Sequence, residues 1–245
     1  MPFSFGKKTA LLTLTTALLA PTPSLHAASL LEWNTAGNAG TETSEPNTFT
    51  ATNIAAAPLT LGPGVNAAGN ANRFGGNNWF DSGNTTPQTL AESIAGNDYI
   101  QFIVAPDSGF GFTATGFNFI WDHSGTGPGS VALRSSADGF AANLASATGL
   151  TSTQTTFTNL SFSLTSSAAT TFRLYGFGGT DTAGTAGFDT NASTNPNPNV
   201  LLLGSVNPLL ASTPLPSSAL AGLSALAFAA SLLSLRTRRT RRTLT

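Results

Sequence analysis

Phe117-Asn118-Phe119-Ile120-Trp121 sets an aromatic ring at every second position. A period of two sends successive side chains to opposite faces, so this run is a β-strand with one buried face. Neighbouring segments repeat the pattern. Across 98–104, Ile100, Phe102 and Val104 share one face while Tyr99, Gln101 and Ile103 share the other. Val131 and Leu133 lie together with Arg134 opposite; Leu160, Phe162 and Leu164 alternate; Phe172 and Leu174 alternate with Arg173 and Tyr175. Leu30 to Asn34 and Val200 to Val206 read as first and last strands, and Thr48 to Ile54 as a further candidate. Turn residues punctuate the set at Pro106-Asp107-Ser108-Gly109, at Ser124 to Gly129 and at Asp138-Gly139. The Gly- and Asn-rich stretches 59–84 and 181–199 read as loops. Helical signals are confined to Pro87–Ile94, with Thr85 or Thr86 near its start, and to Ala137–Leu144. Roughly eight to ten short strands separated by turns predict an all-β, antiparallel β-sandwich of jelly-roll type.

Composition narrows the function classes. Only 9% of the 245 residues are charged, and there is no cysteine. Disulfides, thiolate catalysis and Cys-ligated zinc are excluded. Seven of the ten basic residues sit near the two ends, whereas all eleven acids lie between Glu32 and Asp189. The middle therefore sets Arg73, Arg134 and Arg173 against eleven acids, a net of −8. Such an acidic body argues against a nucleic-acid partner, whose phosphates require basic patches.

The two ends read as addresses. Lys7 and Lys8 precede a twelve-residue apolar stretch from Thr9 to Ala20, too short to span a bilayer. Pro21 and Pro23 follow, then Leu25-His26-Ala27-Ala28, whose small residues suit cleavage after Ala27 or Ala28. Residues 1–28 are thus expected to be a secretory signal peptide, and 29–206 the sandwich ectodomain. Residues 207–216 form a linker ending in Pro214-Leu215-Pro216. Residues 217–235 are an uncharged run of 19, about 28 Å as a helix and so of bilayer length. Arg236, Arg238, Arg239, Arg241 and Arg242 follow within 236–245. Their charge holds that tail in the cytoplasm and the domain outside.

Chemistry-bearing patterns in the middle are sparse. Gly62-x-Gly64-x-x-Ala67 and Gly109-x-Gly111-x-x-Ala114 fit the relaxed dinucleotide pattern but lack its strand-to-helix setting. Asp122-His123-Ser124 holds three triad residue types, yet neighbours on a strand point opposite ways. Asp98, Asp122, Asp138 and Asp189 are candidate ligands for a structural calcium ion; no other cofactor is expected. The same acids are the candidates for a glycosidase pair, which needs two carboxylates about 5–10 Å apart across a cleft. Trp79, in its Asn-Gly context, is the candidate surface ring for sugar contact, whereas Trp121 belongs to the core. Arg134 and Arg173 are expected to pair with acids such as Asp138 or Asp98.

The segment from Pro214 to Arg242 resembles the PEP-CTERM sorting signal of exported bacterial proteins, in which a Pro-Glu-Pro motif precedes an apolar helix and a basic tail. Pro214, Pro216 and Ser217 match the motif, Arg236 to Arg242 match the tail, and Leu215 stands where the family has Glu. The resemblance implies processing by an exosortase-like membrane peptidase, with transient anchoring in the inner membrane through the C-terminal helix. It also implies a setting that includes exopolysaccharide. Residues 96–102, 134–140 and 171–176 are similar to sandwich ectodomains that carry this signal. The expectation is a non-enzymatic protein of the cell surface or extracellular matrix. The alternatives are a carbohydrate-binding module with structural calcium and a polysaccharide-active hydrolase.

Overall fold

The aromatic run at Phe117 is the seam of the molecule. In this computed structural model the described residues are 28–152, 157–190 and 199–209. In chain order the strands are β1 (Ala28–Trp33), β2 (Ser44–Glu45), β3 (Phe49–Thr50), β4 (Ile54–Leu61), β5 (Asn66–Ala67) and β6 (Arg73–Asn77). A helix, α1 (Leu90–Gly96), then leads into β7 (Tyr99–Pro106), β8 (Phe110–Phe119), β9 (Trp121–His123), β10 (Ser130–Ser135) and β11 (Ala145–Ala147). The last described strands are β12 (Thr158–Ser166), β13 (Thr170–Phe177), β14 (Ala186–Asp189) and β15 (Val200–Pro208).

Every strand pairing is antiparallel. One sheet has the order β12-β8-β15-β1-β3, a second β11-β10-β13-β7-β4-β2, and a third β5-β6-β14-β9. The first two face each other through their apolar sides. Phe102 of the second sheet stacks on Phe172 at 5.1 Å and meets Trp33 at 5.1 Å and Phe117 at 5.2 Å, both from the first sheet. Each fully buried ring of this kind stabilises the fold by roughly 1.5–3 kcal/mol. The third sheet closes one end. Phe188 lies against Phe117, Phe119 and Trp121, with centroids 5.4–5.9 Å apart. The run from Phe117 to Trp121 passes from the first sheet into the third without leaving the core, with Ile120 buried between β8 and β9.

Several expectations hold in detail. Ile100, Phe102 and Val104 are buried, as are Val131, Leu133, Phe172 and Leu174. Others do not. The stretch 59–84 is not one loop: β4 runs into it, and β5 and β6 lie inside it. Likewise β14 lies inside 181–199 and buries Phe188. Of the glycines that suggested loops, Gly75, Gly76 and Gly187 are strand residues. A Cβ on Gly75 would strike the Ala186 carbonyl, and one on Gly76 the Asn66 carbonyl. The expected strand Thr48–Ile54 is broken, since β3 ends at Thr50 and β4 starts at Ile54. The helix near residue 90 starts later than expected, with Thr89 as N-cap and Glu92 completing a capping box. Ala137–Leu144 is not helical beyond a single turn, Ser136–Asp138, which Gly139 ends at φ +70°. Among the described residues no helix is long and apolar enough to cross a membrane. The segment 217–235, Pro214-Leu215-Pro216, the tail arginines and Ala27 lie outside the described residues.

Candidate functional site

Three polar clusters stand out against this apolar frame. The first centres on Arg73, whose side chain is buried in the third sheet. It stands opposite Asp189 on β14, and Asp122 lies one strand further on β9. The guanidinium forms an ion pair with Asp122, its Nε lies 3.8 Å from Asp189, and its Nη1 donates to Thr185 Oγ1 at 3.1 Å. Burial pushes the Asp189 carboxyl up, against the pull of Arg73. Two of the expected calcium ligands therefore share a cation that the chain itself supplies.

The second cluster lies under α1. The helix ends at Gly96, Asn97 turns the chain at φ +63°, and Asp98 is swung beneath the helix as β7 begins. Its backbone is tied on both sides, its N–H to Ser93 O at 3.0 Å and its carbonyl to Gly176 N–H at 3.1 Å. The Asp98 side chain has no exposed surface. Gln88 Nε2 donates to its Oδ2 at 2.8 Å, whereas Oδ1 is buried without a hydrogen-bond partner, and so is Gln88 Oε1. Burial pushes the Asp98 carboxyl up to about 7, the Gln88 hydrogen bond opposes this, and the nearby Asp81 charge adds to it.

The third cluster is on the outer face of the second sheet. Arg134 on β10 and Arg173 on β13 are direct cross-strand neighbours. Among the described residues neither lies within ion-pair distance of an acid, which corrects the expected pairing with Asp138 or Asp98. Asp138 instead accepts from the backbone N–H groups of Ala141 and Ala142 at 3.2 and 3.0 Å. The Arg173 guanidinium lies between the rings of Tyr99 and Phe140, 4.3 and 4.2 Å from their centroids. Its Nε donates to Gln101 Oε1 at 3.3 Å. Arg134 donates from Nε to Asn143 Oδ1 and from Nη1 to Phe140 O, at 2.7 and 2.8 Å. Phe140 is held at φ +62°, an uncommon conformation for a residue with a side chain. Like charges set opposite one another across two strands repel, and here the two guanidiniums are held by rings, amides and a carbonyl instead of acids.

Trp79 is not a surface ring. It is fully buried, packed edge-on against Trp121 at 5.7 Å, with its Nε1 donating to Gly76 O at 2.8 Å. Its Asn-Gly surroundings turn inward because β6 and the residues after it cap the sandwich, so no face of the ring is open to a sugar. Tyr175 and Trp121 are buried as well. In Asp122-His123-Ser124, His123 places Nδ1 and Nε2 2.7 and 2.9 Å from the carbonyls of Ser124 and Leu150. Ser124 Oγ accepts from Thr185 N–H at 2.9 Å. The three side chains thus engage separate partners. Asp81 and Asp98 come close together, but the burial of Asp98 keeps that pair out of reach of a glycan. Neither Arg73 nor the roles of Gln88 and Asp81 were signalled by any local motif. In comparisons with known proteins, no family model, no curated protein and no solved structure matches this chain.

Proposed function

We propose that this is an exported, non-enzymatic protein of a bacterial envelope or extracellular matrix, built on a jelly-roll sandwich and delivered by a PEP-CTERM-like tail. The strand order supports the jelly-roll class. Within the two facing sheets, β1-β15-β8-β12 opposes β7-β13-β10-β11, and β7 to β8, β11 to β12 and β12 to β13 each cross between them. The observation that supports the export reading is the order of the two sequence ends, with Lys7, Lys8 and an apolar stretch in front and Pro214-Leu215-Pro216, an apolar run and five arginines behind. Strand β1 is described from Ala28, and β15 runs to Pro208, two residues into the expected linker 207–216. Ala28 pairs with Gly204, midway along β15, which continues to Pro208 against β8. Cleavage after Ala27 leaves that pair whole. Among the described residues the three sheets pair and pack with one another, and the expected leader and tail lie outside those residues. Mass spectrometry of the mature protein tests this directly. The expected form begins at Ala28 or Ser29 and lacks Arg236 to Arg242; an intact arginine tail on secreted protein would contradict it.

A second reading, a carbohydrate-binding module, is favoured by the outer face at Arg134 and Arg173. The Arg173 guanidinium lies over the Tyr99 and Phe140 rings and gives Nε to Gln101; the planar fork of an arginine suits a carboxylate or sulfate. Gln101 and Asn143 add amides beside it. The ligand class is then an acidic glycan, held by the second sheet and not by Trp79. Titration of the mature protein with a polyuronate and with a neutral glucan separates the cases. Binding of the polyuronate alone, weakened by salt, supports this reading; equal or absent binding of both would leave only display.

A further inference from the structure

We propose that Asp98, Asp81, Gln88 and the Gly96 carbonyl form a binding site for a hard divalent cation, with calcium as the fitting ion. The starting point is an imbalance. Asp98 is fully buried, and no basic residue among the described ones pairs with it. Its Oδ1 and the neighbouring Gln88 Oε1 both lack a donor. Buried acceptors without partners are costly, and an ionised carboxylate in that position more so.

The surroundings supply further oxygen atoms instead of donors. A Cβ placed on Gly96 would lie 2.7 and 3.0 Å from the two Asp98 oxygens and 3.1 Å from Asp81 Oδ2. Three carboxylate oxygens from two acids thus surround one methyl-sized space, which exists because residue 96 is glycine. A Cβ on Gly64 would collide with both Asp98 Oδ1 and the Gly96 carbonyl oxygen, so these two acceptors also converge. Asn78 Nδ2 donates to Gly64 O at 2.8 Å and Gly64 N–H to Asn97 O at 3.3 Å, holding the opposing loop against the 96–98 turn. The framework is fixed, Asp98 Oδ2 accepts from Gln88, and Asp98 Oδ1 stays uncommitted.

An all-oxygen set of carboxylate, amide and main-chain carbonyl, irregular in direction, is the donor chemistry of calcium. Magnesium demands a tighter octahedron and keeps its water. Calcium bonds to oxygen at about 2.3–2.6 Å, so an ion held by these carboxylates would stand farther from the backbone than the Gly96 Cβ point, with the side chains adjusting around it. Asp81 is exposed and gives the site an opening to solvent. Two carboxylates place the affinity in the weak class of roughly 0.1–1 mM. Of the four aspartates raised as calcium candidates, Asp98 alone meets this test. Asp122 and Asp189 are occupied by Arg73, and Asp138 by backbone N–H groups. The inference does not depend on the export or glycan readings.

The test is a thermal melt of the mature protein, and of its Asp81→Asn and Asp98→Asn variants, in chelator, in 10 mM calcium chloride and in 10 mM magnesium chloride. Calcium is expected to raise the wild-type melting temperature by about 5 °C and magnesium by much less. Asp81→Asn, on the exposed rim, is expected to keep a cooperative melt in chelator, no less stable than wild type because a like charge beside Asp98 is gone, and to remove most of the calcium shift; Asp98→Asn is expected to remove it entirely. An absence of any wild-type shift, or a shift retained in both variants, would overturn the site. If Asp98→Asn fails to fold, Asp81→Asn alone decides.

Discussion

The Arg73 and Asp98 clusters solve the same problem in opposite ways. Both place aspartate inside an apolar sandwich. At Arg73 the chain provides the counter-charge, and two carboxylates close on one guanidinium across three strands. At Asp98 it provides a single amide donor, two glycines and a second acid. The first cluster carries its own counter-charge, although Arg73 Nε is buried without a hydrogen-bond partner. The second is balanced only by a proton or a cation from outside. A buried ion pair therefore marks construction, and a buried acid with oxygen neighbours marks a place where the solvent composition enters the fold.

The comparison breaks most visibly at Arg73. Arg73→Ala leaves Asp122 and Asp189 facing each other without a cation, and should cost about 3–5 kcal/mol, read as a lowered urea midpoint. Converting Arg73→Met together with Asp122→Asn and Asp189→Asn should recover most of that loss. A triple variant as unstable as Arg73→Ala would show that the charges are not what binds the third sheet. A smaller effect is expected at the other cluster. Gly96→Ala puts a methyl group among the Asp98 and Asp81 oxygens and should cost about 1–2 kcal/mol through overpacking, while abolishing the calcium-dependent shift in melting temperature. Retention of the full shift would mean that the ion, if bound, sits elsewhere. The smallest stability effect is expected at the outer face. Arg173→Gln loses two ring contacts worth about 1 kcal/mol in all, and a chemical melt should barely register it. Polyuronate binding, if that face carries it, should fall by at least tenfold.

Much of the frame was legible because its signal is local. Phe117, Phe119 and Trp121 show their common face by spacing alone, and the same holds for Ile100, Phe102 and Val104. Strands β6 and β14 were not legible, because Gly75, Gly76 and Gly187 serve close approach of neighbouring backbones, a property of the pairing and not of the segment. Trp79 misled for a related reason. Its polar neighbours suggested solvent, yet its exposure depends on the third sheet folding over it. The polar clusters were least legible. Arg73 meets Asp122 and Asp189 across 49 and 116 residues of chain, and Asp98 meets Asp81 only because Gly96 lacks a side chain. No spacing rule within a single segment contains that information.

The most direct test of the uncompensated Asp98 is the pH dependence of stability for wild type and Asp98→Asn, both in chelator. Burial sets the folded carboxyl at about 7, above an unfolded value of about 3.9. The folded chain then holds a proton that the unfolded chain releases, so stability is full below about pH 4 and declines as pH rises toward 7. Asp98→Asn mimics the protonated side chain at every pH and has no such decline from this site. The two proteins should be equally stable near pH 4, and the variant should be the more stable by roughly 3–4 kcal/mol above pH 7.5. Parallel profiles from pH 4 to 8 would show that Asp98 already has its counter-charge and would contradict the contrast between the two clusters.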